Sequence, residues 1–178
     1  MVNILELRQA YSSLMLKRLT DRANRIAEKA RQNASWSKRI PNAISVSEAR
    51  KTGSGFEITI EIDSRPDGPA PHAAAFEYGS GEHGDTGAPY IISPKEKAAL
   101  AFEWPGHDPP WGSQKFIGLG EDGKFLFRFV EHPGVKARPY LRPAIESERD
   151  GLIRSIASTL RDAFLETEVK VEVIRAKK

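Results

Sequence analysis

Four histidines, His72, His83, His107 and His132, are the side chains best suited to hold a metal or carry a proton. Carboxylates stand near two of them, Asp85 beside His83 and Asp108 after His107. None recurs at the H-x-x-x-H spacing of a helical zinc site or two apart on a strand, and each adjoins Gly or Pro in loop-like sequence. The chain has no Cys, which excludes a thiolate zinc site, an iron–sulfur cluster, a thiol nucleophile and a disulfide scaffold. No G-x-S-x-G elbow and no phosphate- or dinucleotide-binding glycine pattern is present. Residues 52–134 hold 13 Asp+Glu, but nothing selects two of them as an acid–base pair. No catalytic residue, metal or cofactor is expected; a loop-borne hydrolase or metal enzyme is the minor alternative.

Two segments carry more information. In Ala73-Ala74-Ala75-Phe76-Glu77-Tyr78-Gly79-Ser80-Gly81, a lone acid sits between two aromatics and ahead of a glycine turn. Small residues allow close packing there, and burying Glu77 would be costly without a cation. In His132-Pro133-Gly134-Val135-Lys136-Ala137-Arg138-Pro139-Tyr140-Leu141-Arg142-Pro143-Ala144, Pro133 and Gly134 form a turn. Pro139 and Pro143 extend the residues before them, and Pro143 or a neighbour can open a helix. Arg138 or Arg142 is expected to partner Glu77, within one subunit or across a subunit contact. Ser80 reads as part of a flexible loop.

The elements that must position these segments follow from periodicity. Ile4, Leu7, Tyr11, Leu14, Leu19, Ala23, Ile26 and Ala30 recur at helical spacing, and no Gly or Pro precedes Pro41; a long amphipathic helix over about 3–33 follows. Ala43–Val46 and Phe56–Ile62 alternate as strands joined by a turn at Arg50–Gly55, a hairpin. Tyr90–Ser93 and Ala98–Trp104 are short apolar runs, and Lys124–Glu131 is a further strand. Stretches 79–89 and 104–123, rich in Gly and Pro, are expected as extended loops. After Pro143 a second long helix is expected to bury Ala144, Ile145, Leu152, Ile153, Ile156, Leu160, Ala163 and Phe164, weakened by Gly151. Val169, Val171 and Val173 alternate with charges as an edge strand. The order implies a single α+β domain over 1–178, with an antiparallel or mixed sheet and two long helices.

The chain of 178 residues has a net charge of +3, distributed unevenly. Residues 1–51 hold 11 Lys+Arg against 4 Asp+Glu, residues 52–134 hold 6 against 13, and residues 135–178 hold 10 against 7. Basic ends around an acidic middle suit docking onto complementary surfaces. A nucleic-acid-binding module using the basic helix within 1–39 is the alternative, although only Tyr11 and Trp36 could stack on bases. No run approaches the ~18 apolar residues of a membrane span, and Glu6 and Arg8 interrupt any early signal-like stretch. A cytoplasmic protein is expected.

The ordered set A-x-F-E-Y-G-S-G from Ala74, Y-I-I-S-P-K-x-K-A-A-L-A-F from Tyr90, and V-E-H-P-G-V-K-A-R-P-Y-L-R-P-A-I-E from Val130 resembles the neck proteins of long-tailed bacteriophages. That family is also called tail-completion, head–tail joining or minor tail components. The resemblance runs from the first helix through the helix after Pro143; the Trp104–Gly123 loop and the Val169–Ile174 segment fall outside it. It implies a non-enzymatic virion protein, assembled in the host cytoplasm. Its copies would form a ring between head connector and tail terminator or tail tube, with DNA passing through the lumen. Phe76, Glu77, Tyr78 and Gly79, with His132, Pro133, Gly134, Arg138, Pro139, Tyr140, Leu141, Arg142 and Pro143, would form the structural heart, and Trp104 and Trp111 would be available for partner contacts. No membrane partner is implied.

Overall fold

A computed structural model describes residues 3–103 and 115–176, with side chains through Thr167. Helix α1 spans Ile4–Asn33, 30 residues. It starts where Asn3 caps it, the side-chain oxygen accepting the Leu5 N–H at 3.0 Å, and runs unbroken because no Gly or Pro interrupts it. Its buried residues are Met15, Ala23, Ile26, Ala27 and Ala30, so the C-terminal half of the expected stripe packs inward while Ile4 is exposed.

A single turn, α2 (Ile40–Ala43), leads into strand β1 (Ile44–Val46). Strands β2 (Arg50–Lys51), β3 (Phe56–Glu57) and β4 (Ile60–Ile62) complete the expected hairpin. β1 pairs antiparallel with β4, Ser45 opposite Glu61, and β2 with β3, Arg50 opposite Glu57. The turn is shorter than expected because Arg50 and Lys51 are already paired. Between β3 and β4 the Ser47 hydroxyl accepts the Thr59 N–H at 2.9 Å, which replaces a ladder bond and divides the strand.

The chain falls into two compact units, residues 1–77 with 139–178, and residues 78–138. The first contains α1 and its hairpin, the short helix α3 (Ala73–Tyr78) up to Glu77, and helix α4 (Leu141–Ala176). Its core gathers Ile26, Ala27, Ala30, Ala34, Ile40, Ala43, Ile44, Ala70, Ala73, Tyr140 and Ala144, with Trp36, Phe76 and Leu141 against it. Alanines dominate, which lets the helix ends approach closely around the one large buried ring, Tyr140.

Residues 78–138 carry a 3₁₀ turn at Gly81–His83 and two small sheets. β5 (Tyr90–Ile92) pairs with β9 (Val130–His132). β8 (Phe125–Phe127) lies between β6 (Leu100–Phe102) and β7 (Phe116–Leu119). All described pairings are antiparallel, so the α+β class holds, with four small sheets in place of one.

Four expectations are corrected. The 104–123 loop contains strand β7, held by Phe116 against Phe125 and Phe127. The Lys124–Glu131 strand divides between two sheets, Phe125–Phe127 pairing with β6 and β7 and Val130–His132 with β5. Val169–Ile174 continues α4 as helix; no Pro or Gly between Gly151 and Ala176 stops a helix already formed, and the short period-two pattern has no partner strand among the described residues. Finally, the apolar residues of α4 largely face outward. Ala144 and Ala163 are buried, but Ile145, Ile153, Ile156, Leu160 and Phe164 are exposed. Against α1, α4 instead presents Glu148, Ser155, Thr159 and Asp162.

Candidate functional site

The alternation of aromatic and acid in Phe76-Glu77-Tyr78 falls at the end of α3. Gly79 follows at φ +84°, where an added Cβ would meet the His83 carbonyl oxygen at 2.1 Å. Phe76 packs edge-on against Trp36, with centroids 4.9 Å apart, and Tyr78 is exposed. Glu77 is buried, 2% exposed, and reaches the start of α4.

The first turn of a helix leaves about four N–H groups without intrahelical partners. For α4 these belong to Tyr140, Leu141, Arg142 and Pro143, and Pro143 has none. Glu77 accepts all three that remain: Tyr140 N–H (2.8 Å) and Leu141 N–H (2.9 Å) at Oε2, and Arg142 N–H (2.9 Å) at Oε1. The Arg142 guanidinium donates from Nε to Glu77 Oε1 at 3.1 Å and from Nη2 to the Glu77 carbonyl at 2.7 Å. The exchange is reciprocal: an acid of α3 caps the positive end of α4, and a cation of α4 caps the terminal carbonyl of α3. The Tyr140 hydroxyl adds a bond to the Ala73 carbonyl at 3.2 Å.

Burial alone would raise the Glu77 carboxyl above its ordinary value; the three N–H donors and the guanidinium outweigh it and hold the group low. A carboxylate ionised and occupied at both oxygens acts as a joint. Of the two arginines expected to partner it, Arg142 does so. Arg138 and Pro139 are exposed, Leu141 packs on the core, and α4 begins two residues before Pro143.

The His132-Pro133-Gly134 turn and Gly79-Ser80-Gly81 form a second junction, inside the 78–138 unit. Ser80 N–H donates to the Val135 carbonyl (2.9 Å), Val135 N–H to the Ser80 hydroxyl (3.1 Å), and Glu82 N–H to the Pro133 carbonyl (2.8 Å). Gly134 N–H donates to His132 Nδ1 at 2.9 Å, and the ring stacks on Tyr90. Gly134 has φ +92°, and a Cβ there would lie 1.8 Å from the Ser80 carbonyl oxygen. Only glycine fits. Ser80 is thus a clasp residue, in place of the flexible loop expected.

A third feature escaped the sequence reading: Arg18, Arg22, Arg25 and Lys29 recur at steps of four, three and four on the face of α1 that meets α4. Arg22 and Lys29 bind Glu148 at 2.7 and 2.5 Å, and Arg25 lies 3.7 Å from it. Arg18 reaches the Ser155 carbonyl, Ser158, Thr159 and Asp162. Lys29 and Arg22 hold the Glu148 carboxyl below its ordinary value. The spacing was itself the signal, being as regular as the apolar one.

His72 precedes α3 and His83 lies in the 3₁₀ turn. His107, Trp104 and Trp111 lie outside the described residues. Among the described residues no group of three or more His, Asp and Glu is placed to hold a metal, and no helix is long and apolar enough to cross a membrane. No family model, curated protein or solved structure matches the chain.

Proposed function

We propose that the chain is a structural virion protein of a long-tailed phage or prophage, a neck or tail-completion subunit whose copies form a ring joining head connector to tail. One observation carries this. The motifs that define the resemblance, fifty or so residues apart in sequence, converge on two junctions: Glu77 with Tyr140–Arg142, and Ser80 and Gly81 with Pro133–Val135. A segment pattern that forms joints, with its acid committed to capping, suits a part that holds shape against neighbours better than one that turns over substrate. DNA would pass through the lumen without sequence-specific contact.

The alternative, nucleic-acid binding by α1, draws less support. Arg18, Arg22 and Lys29, three of its seven basic residues, are engaged by α4 acids and hydroxyls, where phosphates would have to displace them.

Electron microscopy of the purified chain mixed with connector rings from the encoding phage or prophage tests the proposal. Extra annular density on the tail-facing side of the connector is expected. A chain that neither binds those rings nor forms its own would overturn it.

A further inference from the structure

The two halves of helix α4 are held by different means. The first is anchored in the core: Tyr140 and Ala144 are buried at its start, and Glu77 caps its first N–H groups. Glu148, also buried, takes Arg22 and Lys29 of α1. Beyond Gly151 the buried side chains are Thr159, Ala163 and Thr167, all small, whereas Ile153, Ile156, Leu160, Phe164 and Leu165 are between 41% and 59% exposed. Undocking that half takes no large apolar side chain of α4 out of a buried site. The packing of an apolar face that fixes most helices is weak here on the α4 side.

One guanidinium holds this half instead. Arg18 Nη1 donates to the Ser155 carbonyl at 3.0 Å and to the Ser158 and Thr159 hydroxyls at 2.9 Å each, and Nη2 donates to Asp162 at 2.5 Å. Among the described residues no other side-chain hydrogen bond or ion pair joins α1 to α4 beyond Gly151. The helix is also weak where the halves meet. Gly151 is a poor helix former. Besides Arg18, the Ser155 carbonyl accepts the Thr159 hydroxyl at 2.7 Å and the Ser158 hydroxyl at 3.2 Å. Such side-chain donors compete with the backbone ladder and bend it.

We propose that residues 156–167 form an arm that leaves α1 and returns as a unit, hinged over Gly151–Ser155 and latched by Arg18, while the first half of α4 stays in the core. Local opening draws on segments with few buried apolar contacts, and this segment meets that condition inside an otherwise well-anchored helix. The open arm stays attached through Glu148 and the Glu77 cap, and it frees the hydroxyl-and-acid face that α1 otherwise covers. The motion belongs to the single chain, so it holds or fails apart from ring formation.

Native-state hydrogen exchange on the full chain, resolved by residue, tests the arm. Amides of 156–167 should exchange through one shared opening that leaves 144–150 protected. R18Q should speed their exchange about ten- to a hundredfold, the worth of a charged hydrogen-bond set, with 144–150 and the core residues 26–34 of α1 unchanged. D162N, which removes one acceptor charge and keeps Arg18, should act on the same amides to a smaller extent, and it carries the test should R18Q fail to fold. Equal acceleration of both halves of α4 would mean that the helix opens only with the whole fold. Unchanged exchange in both variants would mean that Arg18 is no latch. Either result overturns the arm.

Discussion

Both carboxylate oxygens of Glu77 are committed, one to two N–H groups and the other to an N–H and a guanidinium. Glutamine keeps the shape but brings an amide N–H₂ against at least one donor, leaving buried partners unmatched. E77Q should therefore lose about 2–4 kcal/mol at neutral pH, the scale of breaking a buried charged hydrogen-bond set, measured by urea unfolding. The sign of its pH dependence follows from the lowered carboxyl. A group ordinarily near 4.5 that is held lower in the folded state gives its full stabilisation above that value. The contribution is lost as pH falls through the folded-state value. The gap between parent and E77Q should thus narrow below pH ~4.5. Equal stability at neutral pH, or a gap constant into acid, would refute the capping role. This residue was legible in part: a lone acid among small and aromatic residues announces a partner, and one of the two arginines named was right. That three backbone N–H groups would share the acid was not legible, because which helix end arrives beside it is decided by tertiary packing.

The pairing of α1 with α4 shows where periodicity misleads. Both sequences carry two regular stripes, one apolar and one charged or hydroxylic, and hydrophobicity alone assigns the apolar one inward. Here Arg18, Arg22 and Lys29 on α1 meet Glu148, Thr159 and Asp162 on α4, a complementarity visible only when the two helices are read together. Strand positions were legible where alternation was long, as at Phe56–Ile62. They were missed at Phe116–Leu119, where Gly118 and the surrounding glycines mimic loop. Gly151 gives the sharpest check on the helix pair. A Cβ there would lie 2.4 Å from Arg22 Nη1, so the glycine leaves room for the guanidinium that binds Glu148. G151A should gain about 1 kcal/mol of helix propensity yet lose about 1.5–3 kcal/mol of charged hydrogen bonding, a net destabilisation. In an R22A background the second cost vanishes and G151A should become stabilising. Thermal unfolding of the four proteins reads the reversal; additive effects would show that Arg22 does not need the space.

At the scale of the whole molecule, charge and fold divide differently. The acidic middle of the sequence is split: residues 78–138 hold 7 Lys+Arg against 8 Asp+Glu, nearly neutral, because Glu57, Glu61, Asp63, Asp67 and Glu77 belong with the helices. The bases of α1 are met by Glu148 and Asp162 of α4, outside that acidic stretch, while Glu57, Asp63 and Glu77 pair with Arg50, Arg65 and Arg142. The first unit is also closed on itself. It contains both long helices, 30 and 36 residues, the larger buried cluster, and both partners of the cap, since Glu77 ends one segment and Tyr140 lies at the start of the next. Replacing residues 78–138 by a Gly/Ser linker of about six residues, which spans up to ~20 Å, asks only that the chain cross from Glu77 to Pro139, flanking groups already within hydrogen-bonding reach. The shortened chain should retain its helical circular-dichroism signal per molecule and unfold in one cooperative step. E77Q should destabilise it by the same amount as in the full chain, because the cap lies wholly within what remains. Loss of the helical signal, or a cap whose cost disappears with residues 78–138, would show that the inserted unit holds the joint together.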